Sequence, residues 1–80
     1  MRLHEVHIGN SGKILKIHSP ELEMTLMKLG LIQGDSFRLT RIAPFQGPLA
    51  VQCRGTQIAL RREDAKKIEV RLEEEYLENE

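Results

Sequence analysis

Glycine and proline punctuate this 80-residue chain at Gly9, Gly12, Pro20, Gly30, Gly34, Pro44, Gly47, Pro48 and Gly55. Most of them fall between apolar runs, where turn residues belong. A chain interrupted this often can build only short elements. The intervals read as strands around one clear helix.

The helix is expected over residues 20–29. Ser19 can cap it, and Pro20 suits its first position because a helix needs no N–H there. Glu21 and Glu23 lie near the positive end of the helix dipole and Lys28 near the negative end. Leu22, Leu26 and Leu29 recur at i, i+4 and i+7 and predict one core-facing stripe. Met24 and Met27 flank that stripe and are expected to extend the core. Gly30 ends the helix as a C′ glycine.

Period-two alternation marks the strands. Phe37 and Leu39 are expected inward over residues 36–42. Leu49, Val51 and Cys53 are expected inward next, then Ile58 and Leu60, then Ile68, Val70 and Leu72. Arg54-Gly55 is a two-residue hairpin signal. Residues 61–66 read as a polar turn of helix. Residues 12–18 also read as a strand, but Ile14 and Ile17 are three apart. Either Leu15 and Ile17 face in, or a bulge re-aims the chain. The order predicts a mostly β fold, a small and partly closed barrel of about five strands with one helix inserted. Closure hides sticky sheet edges, although any edge left open makes self-association to a homo-oligomer plausible.

Size and composition weigh against several functions. A domain this small buries only about 60–65% of its unfolded surface, which leaves little to enclose a catalytic cavity. Twelve basic residues balance twelve acidic ones, and aromatics are 4% of the chain. Nucleic-acid binders usually show a basic excess and stacking aromatics, so none is expected as a partner. Residues 73–80 form an acidic tail beyond a domain over residues 1–72. One cysteine, Cys53, allows no internal disulfide and fits a reducing compartment. The start lacks an apolar leader, and no apolar run reaches the roughly 20 residues that span a bilayer. A cytoplasmic protein is expected, without membrane insertion of its own.

No catalytic constellation stands out, and no enzyme is expected. Cys53 falls on the inward register without an obvious base, and the serines have no motif around them. His4 and His7 invite a metal reading, with His18 and Cys53 as conceivable additions. Structural zinc normally takes four ligands, so the expectation at His4 and His7 is weak, adventitious binding of a divalent ion such as iron, manganese or zinc. Arg61, Arg62, Lys66 and Lys67, helped by Arg54, form a basic cluster. It reads as a solvated turn with Glu63 and Asp64 as local partners.

The most informative stretch is Ala43-Pro44-Phe45-Gln46-Gly47-Pro48-Leu49. Two prolines stiffen a turn between strands, so it loses little entropy on binding. Phe45 stands at its tip. It either plugs one end of the barrel or is exposed as an aromatic anchor for another protein. Pro44, Phe45, Gln46, Gly47 and Pro48 are the candidate partner-binding residues, along with exposed parts of the helix.

The ordered set Leu29-Gly30-Leu31-Ile32-Gln33-Gly34, Arg41-Ile42-Ala43-Pro44, Gly47-Pro48-Leu49, Ile58-Ala59-Leu60-Arg61, Asp64-Ala65 and Ile68-Glu69-Val70 resembles the FeoA family. With Leu3, Gly9, Gly12 and Ile14, the resemblance covers residues 3 to about 72. It implies an SH3-like barrel and a cytosolic accessory role in ferrous iron uptake. It also implies contact with the cytoplasmic part of a FeoB-type membrane transporter with a GTPase domain, which would hold the protein peripherally at the membrane. No cofactor and no catalytic residue is implied. The same fold is similar to the C-terminal domain of DtxR-type metal-dependent repressors, which implies the alternative of a free-standing metal-responsive module. The chain departs from the family pattern at Thr25, often arginine, at Gln33, often proline, and at Phe45-Gln46-Gly47, usually leucine-glycine-aspartate.

Overall fold

The computed structural model describes residues 1–73. A 3-10 turn at Leu3–Glu5 leads into β1 (Ser11–Ile17), α1 (Pro20–Leu29), β2 (Ser36–Ile42), β3 (Leu49–Cys53), β4 (Thr56–Leu60), α2 (Arg62–Ala65) and β5 (Ile68–Leu72). The strands form one antiparallel sheet in the order β4-β3-β2-β1-β5. The expected acidic tail lies outside the described residues from position 74 on.

The helix forms where its end signals stand. The Ser19 hydroxyl accepts the Leu22 N–H at 3.2 Å, and Pro20 takes the first turn. At the other end Gly30 turns left-handed at φ 102°. Leu31 then donates to the Leu26 carbonyl at 2.9 Å, and Gly30 to that of Met27 at 3.1 Å. This is a Schellman closure, in which the residue after the glycine folds back on the helix. It changes the core face. Leu22 and Leu26 are buried as expected, but Leu29 is half-exposed, and Leu31 takes the third buried place. Met24 and Met27 do not extend the core. They are exposed on the side of α1 opposite Leu22 and Leu26.

The spacing of Ile14 and Ile17 is resolved by a bulge. Ile14 pairs with Val70 and Lys16 with Glu69, so Leu15 is the extra residue of β1. Ile14 and Ile17 both reach the core, and Leu15 faces solvent. A second bulge lies in β2, where Leu39 pairs with Val51 and Arg41 with Ala50. The Thr40 hydroxyl donates to the Ala50 carbonyl there, at 3.2 Å. Each bulge bends its strand and increases local twist, which curls the sheet over its own apolar face.

The core is aliphatic around Phe37. Leu39, Val51 and Ile68 are fully enclosed, and Leu3 and Val6 of the N-terminal segment are buried in the same cluster. Each such side chain contributes about 1.5–3 kcal/mol by leaving water. The 3-10 turn was not apparent in the sequence. The Glu5 carboxylate accepts the Arg2 N–H at 2.7 Å and stabilises it.

Candidate functional site

The pairing of Ile42 with Leu49 ends the β2–β3 ladder. One further bond, from the Ala43 N–H to the Pro48 carbonyl at 2.9 Å, extends it by a step. Pro48 has no N–H to return, so the ladder stops there. Beyond it Gly47 donates to the Pro44 carbonyl at 3.1 Å and closes a four-residue turn. Gly47 allows the two arms to approach closely. A Cβ there would lie 2.9 Å from that of Ala43 and 3.1 Å from the Pro44 oxygen.

The two central residues of this turn are left-handed, Phe45 at φ 59° and Gln46 at φ 58°. That sign pattern belongs to type I′ turns, which favour Asn-Gly. For residues with a Cβ it costs roughly 1–2 kcal/mol each. The same geometry throws the ring outward, and Phe45 is 98% exposed. The ring therefore does not plug the barrel. Pro44, Gln46 and Pro48 are exposed beside it, and Gly47 is half-buried. The structure thus presents the five loop residues as one tip.

The other singled-out residues are placed differently. His4 lies half-buried on the 3-10 turn, with its Nδ1 enclosed and without a hydrogen-bond partner among the described residues. His7 is exposed three residues on. No group of three or more His, Cys, Asp or Glu side chains converges among the described residues. His18 is instead joined to Glu69, Nε2 to Oε1 at 2.9 Å, and that bond holds the Glu69 carboxyl below its usual range. Cys53 is buried under Asp35, where burial and the nearby carboxylate push its thiol up. A thiol raised this way is a poor nucleophile.

Two members of the basic cluster, Arg54 and Arg61, are neutralised locally, while the Nε of Arg62 is enclosed without a hydrogen-bond partner among the described residues. Arg61 pairs with Glu63 and Asp64, each at 3.3 Å, and Arg54 pairs with Asp35. A groove of about 210 Å³ between α1 and α2 is lined by Ser19, Glu21, Leu22, Thr25, Arg61, Asp64 and Lys67. Its charges are mixed in sign. Thr25, one of the departures from the family pattern, lies in this groove. Gln33, another, has a structural task, since its Oε1 accepts the Ile17 N–H at 2.9 Å.

The exposure of Met24 and Met27 was missed by the sequence reading. Their i, i+3 spacing places them together, and their distance around the helix from Leu22 and Leu26 was the available signal. Met24 lines a second exposed, partly apolar surface with Pro20, Glu21, Thr25 and Lys28, and Met27 is exposed one turn further along the helix.

The FeoA domain family model matches residues 1–72. The Fe(2+) transport protein A/Fe(2+) transporter FeoB fusion protein of Porphyromonas gingivalis is 32% identical over 73 residues, covering 90% of this chain and 9% of that protein. The chain thus spans under a tenth of that relative's length. The solution structure of the FeoA protein from Chlorobium tepidum superposes with a TM-score of 0.84 at 32% identity, over 90% of this chain and 70% of that one. The crystal structure of ScaR with bound Zn2+ shares the fold, with a TM-score of 0.79 at 22% identity over 88% of this chain and 35% of that one. Among the described residues no helix is long and apolar enough to cross a membrane.

Proposed function

The chain belongs to the FeoA domain family, and from that premise we propose that it is an accessory protein of ferrous iron uptake that docks on the cytoplasmic part of a FeoB-type transporter through residues 44–48. The observation that carries this reading is the fully exposed Phe45 on a left-handed turn. Strain kept at an exposed position argues for a use of that position. A rigid aromatic tip, flanked by prolines, can enter an apolar pocket at small entropic cost. The fused relative supports the choice of partner, because one polypeptide there is described as both transport protein A and transporter FeoB. The contact requires no bound cofactor and no bond-making step, so the protein acts as a binding partner rather than an enzyme. It would reside in the cytoplasm, held at the membrane by its partner.

The reading is tested by titrating the protein and its Phe45→Ala variant into the purified cytoplasmic domain of the transporter. Truncation of a central aromatic anchor costs about 2 kcal/mol, or roughly a 30-fold loss of affinity. Thermal stability should not fall, because the ring touches no core residue. Equal affinity of the two proteins would remove the loop from the interface. The metal-responsive alternative has no comparable observation. His4 and His7 lack a converging third ligand among the described residues, and the likeness to ScaR is one of fold.

A further inference from the structure

The two edges of the sheet are treated differently. On the outer side of β5, Val70 donates to the Met1 carbonyl at 2.8 Å and Arg2 bridges to Glu69. The strand β4 has no such cover among the described residues, and the element it packs along is β3. The hairpin fixes which of its groups are free. Arg54-Gly55 is a two-residue turn, so Cys53 and Thr56 form a hydrogen-bonded pair. The register runs without a bulge from there to Leu49 and Leu60. Thr56, Ile58 and Leu60 therefore turn their N–H and C=O groups toward β3. Those of Gln57 and Ala59 point away from the sheet.

Proteins usually blunt such an edge with charge, proline or a bulge. The sequence Thr56-Gln57-Ile58-Ala59-Leu60 carries none of these. Thr56, Gln57 and Ala59 are exposed, and Ile58 lies buried just under the edge. We propose that β4 pairs with β4 of a second copy of this chain, antiparallel about a two-fold axis at Ile58. Gln57 of each copy then faces Ala59 of the other. This register uses both outward N–H groups and both outward carbonyls of each strand. It buries no side-chain charge, because the strand holds none.

Charge selects a second copy over a charged partner. The two-fold brings Arg54 of one copy beside the segment Arg61, Arg62, Glu63 and Asp64 of the other. Arg54 is already paired with Asp35, and Arg61 with Glu63 and Asp64. Arg62, which the register sets opposite Arg54, has no ion pair of its own among the described residues, and Glu63 and Asp64 beside it supply the opposite sign, so each end carries both signs. A uniformly acidic or basic strand would find no such balance. The seam is short, so the dimer is weak and dependent on concentration.

Sedimentation velocity from dilute to concentrated protein should show a monomer–dimer equilibrium. Amide exchange supplies the specific signature. Gln57 and Ala59 should become slower as concentration rises, while Thr56, Ile58 and Leu60 are slow throughout. Ala59→Pro removes one outward N–H that the monomer does not use, and should weaken the dimer at least tenfold with the circular dichroism unchanged. Ala59→Lys, which places a charge on the edge, should do the same and serves if the proline variant does not fold. A monomer at every concentration would overturn the proposal and leave the edge to a strand from another protein. A dimer indifferent to folded Ala59→Pro or Ala59→Lys would overturn it as well. So would protection of Gln57 and Ala59 that ignores concentration, since a segment of the same chain would then cover them.

Discussion

The turns at Phe45-Gln46 and Arg54-Gly55 have nearly the same backbone and opposite uses. Each puts two consecutive residues at positive φ to reverse an antiparallel hairpin, at 59° and 58° in the first and 54° and 78° in the second. In the second, glycine removes half the strain. Arg54 reaches back to Asp35, whose carboxylate also accepts the Ile32 N–H at 2.9 Å. That turn is tied to the loop after α1 and closes over Cys53. In the first, neither residue is glycine, and neither side chain bonds back to the body among the described residues. The ring is left in water. One turn contributes to stability, while the other costs stability and leaves its ring exposed.

The largest effect that could break this contrast is the loss of transporter affinity in Phe45→Ala, with no matching loss in Arg54→Ala. Similar losses from both would mean that the binding surface spreads over the two turns. Next in size is Asp35→Ala. It leaves the Ile32 N–H and Arg54 without their carboxylate and should cost about 2 kcal/mol. The melting temperature would fall by roughly 8–16 °C on the usual scale for small domains. No change would mean that the second turn is not anchored as described. Smaller still is a reciprocal pair. Gln46→Gly should stabilise the protein by about 1 kcal/mol, and Gly55→Ala should destabilise it by a similar amount. Both follow from φ alone, since a Cβ at Gly55 meets no atom within 4 Å. Denaturant titration would measure both.

The smallest effect is in acid. Burial alone would raise the Asp35 carboxyl, but the Ile32 N–H and the Arg54 guanidinium outweigh it and hold it below the ordinary range. A depressed folded pKa gives stability that is complete above the unfolded value, about 3.9, and is lost as pH falls through the folded one. The Arg2 N–H lowers Glu5 and His18 lowers Glu69, so both add to the same limb. Asp35→Asn should flatten the acid limb of a stability–pH curve without removing it. An unchanged limb would locate the acid sensitivity in Glu5 and Glu69 alone.

The sequence by itself determined the elements whose signals lie within about four residues of one another. Ser19, Pro20 and Gly30 bound α1, Arg54-Gly55 makes the second hairpin, and the alternation of Leu49, Val51 and Cys53 sets a buried face. Each is a local hydrogen bond, a φ preference or a period. What the tertiary structure decided depends on distant partners. Leu31 rather than Leu29 fills the core because the Schellman closure swings it under α1. Ile14 and Ile17 both face inward because Leu15 bulges against β5, from the far end of the chain. Met24 and Met27 face solvent because no other element among the described residues covers that side of the helix. The loop of residues 44–48 was legible as stiff, and its composition could not say which way Phe45 points. That was settled by the handedness of two residues without glycine, which turn the ring out from a core already filled by aliphatic side chains.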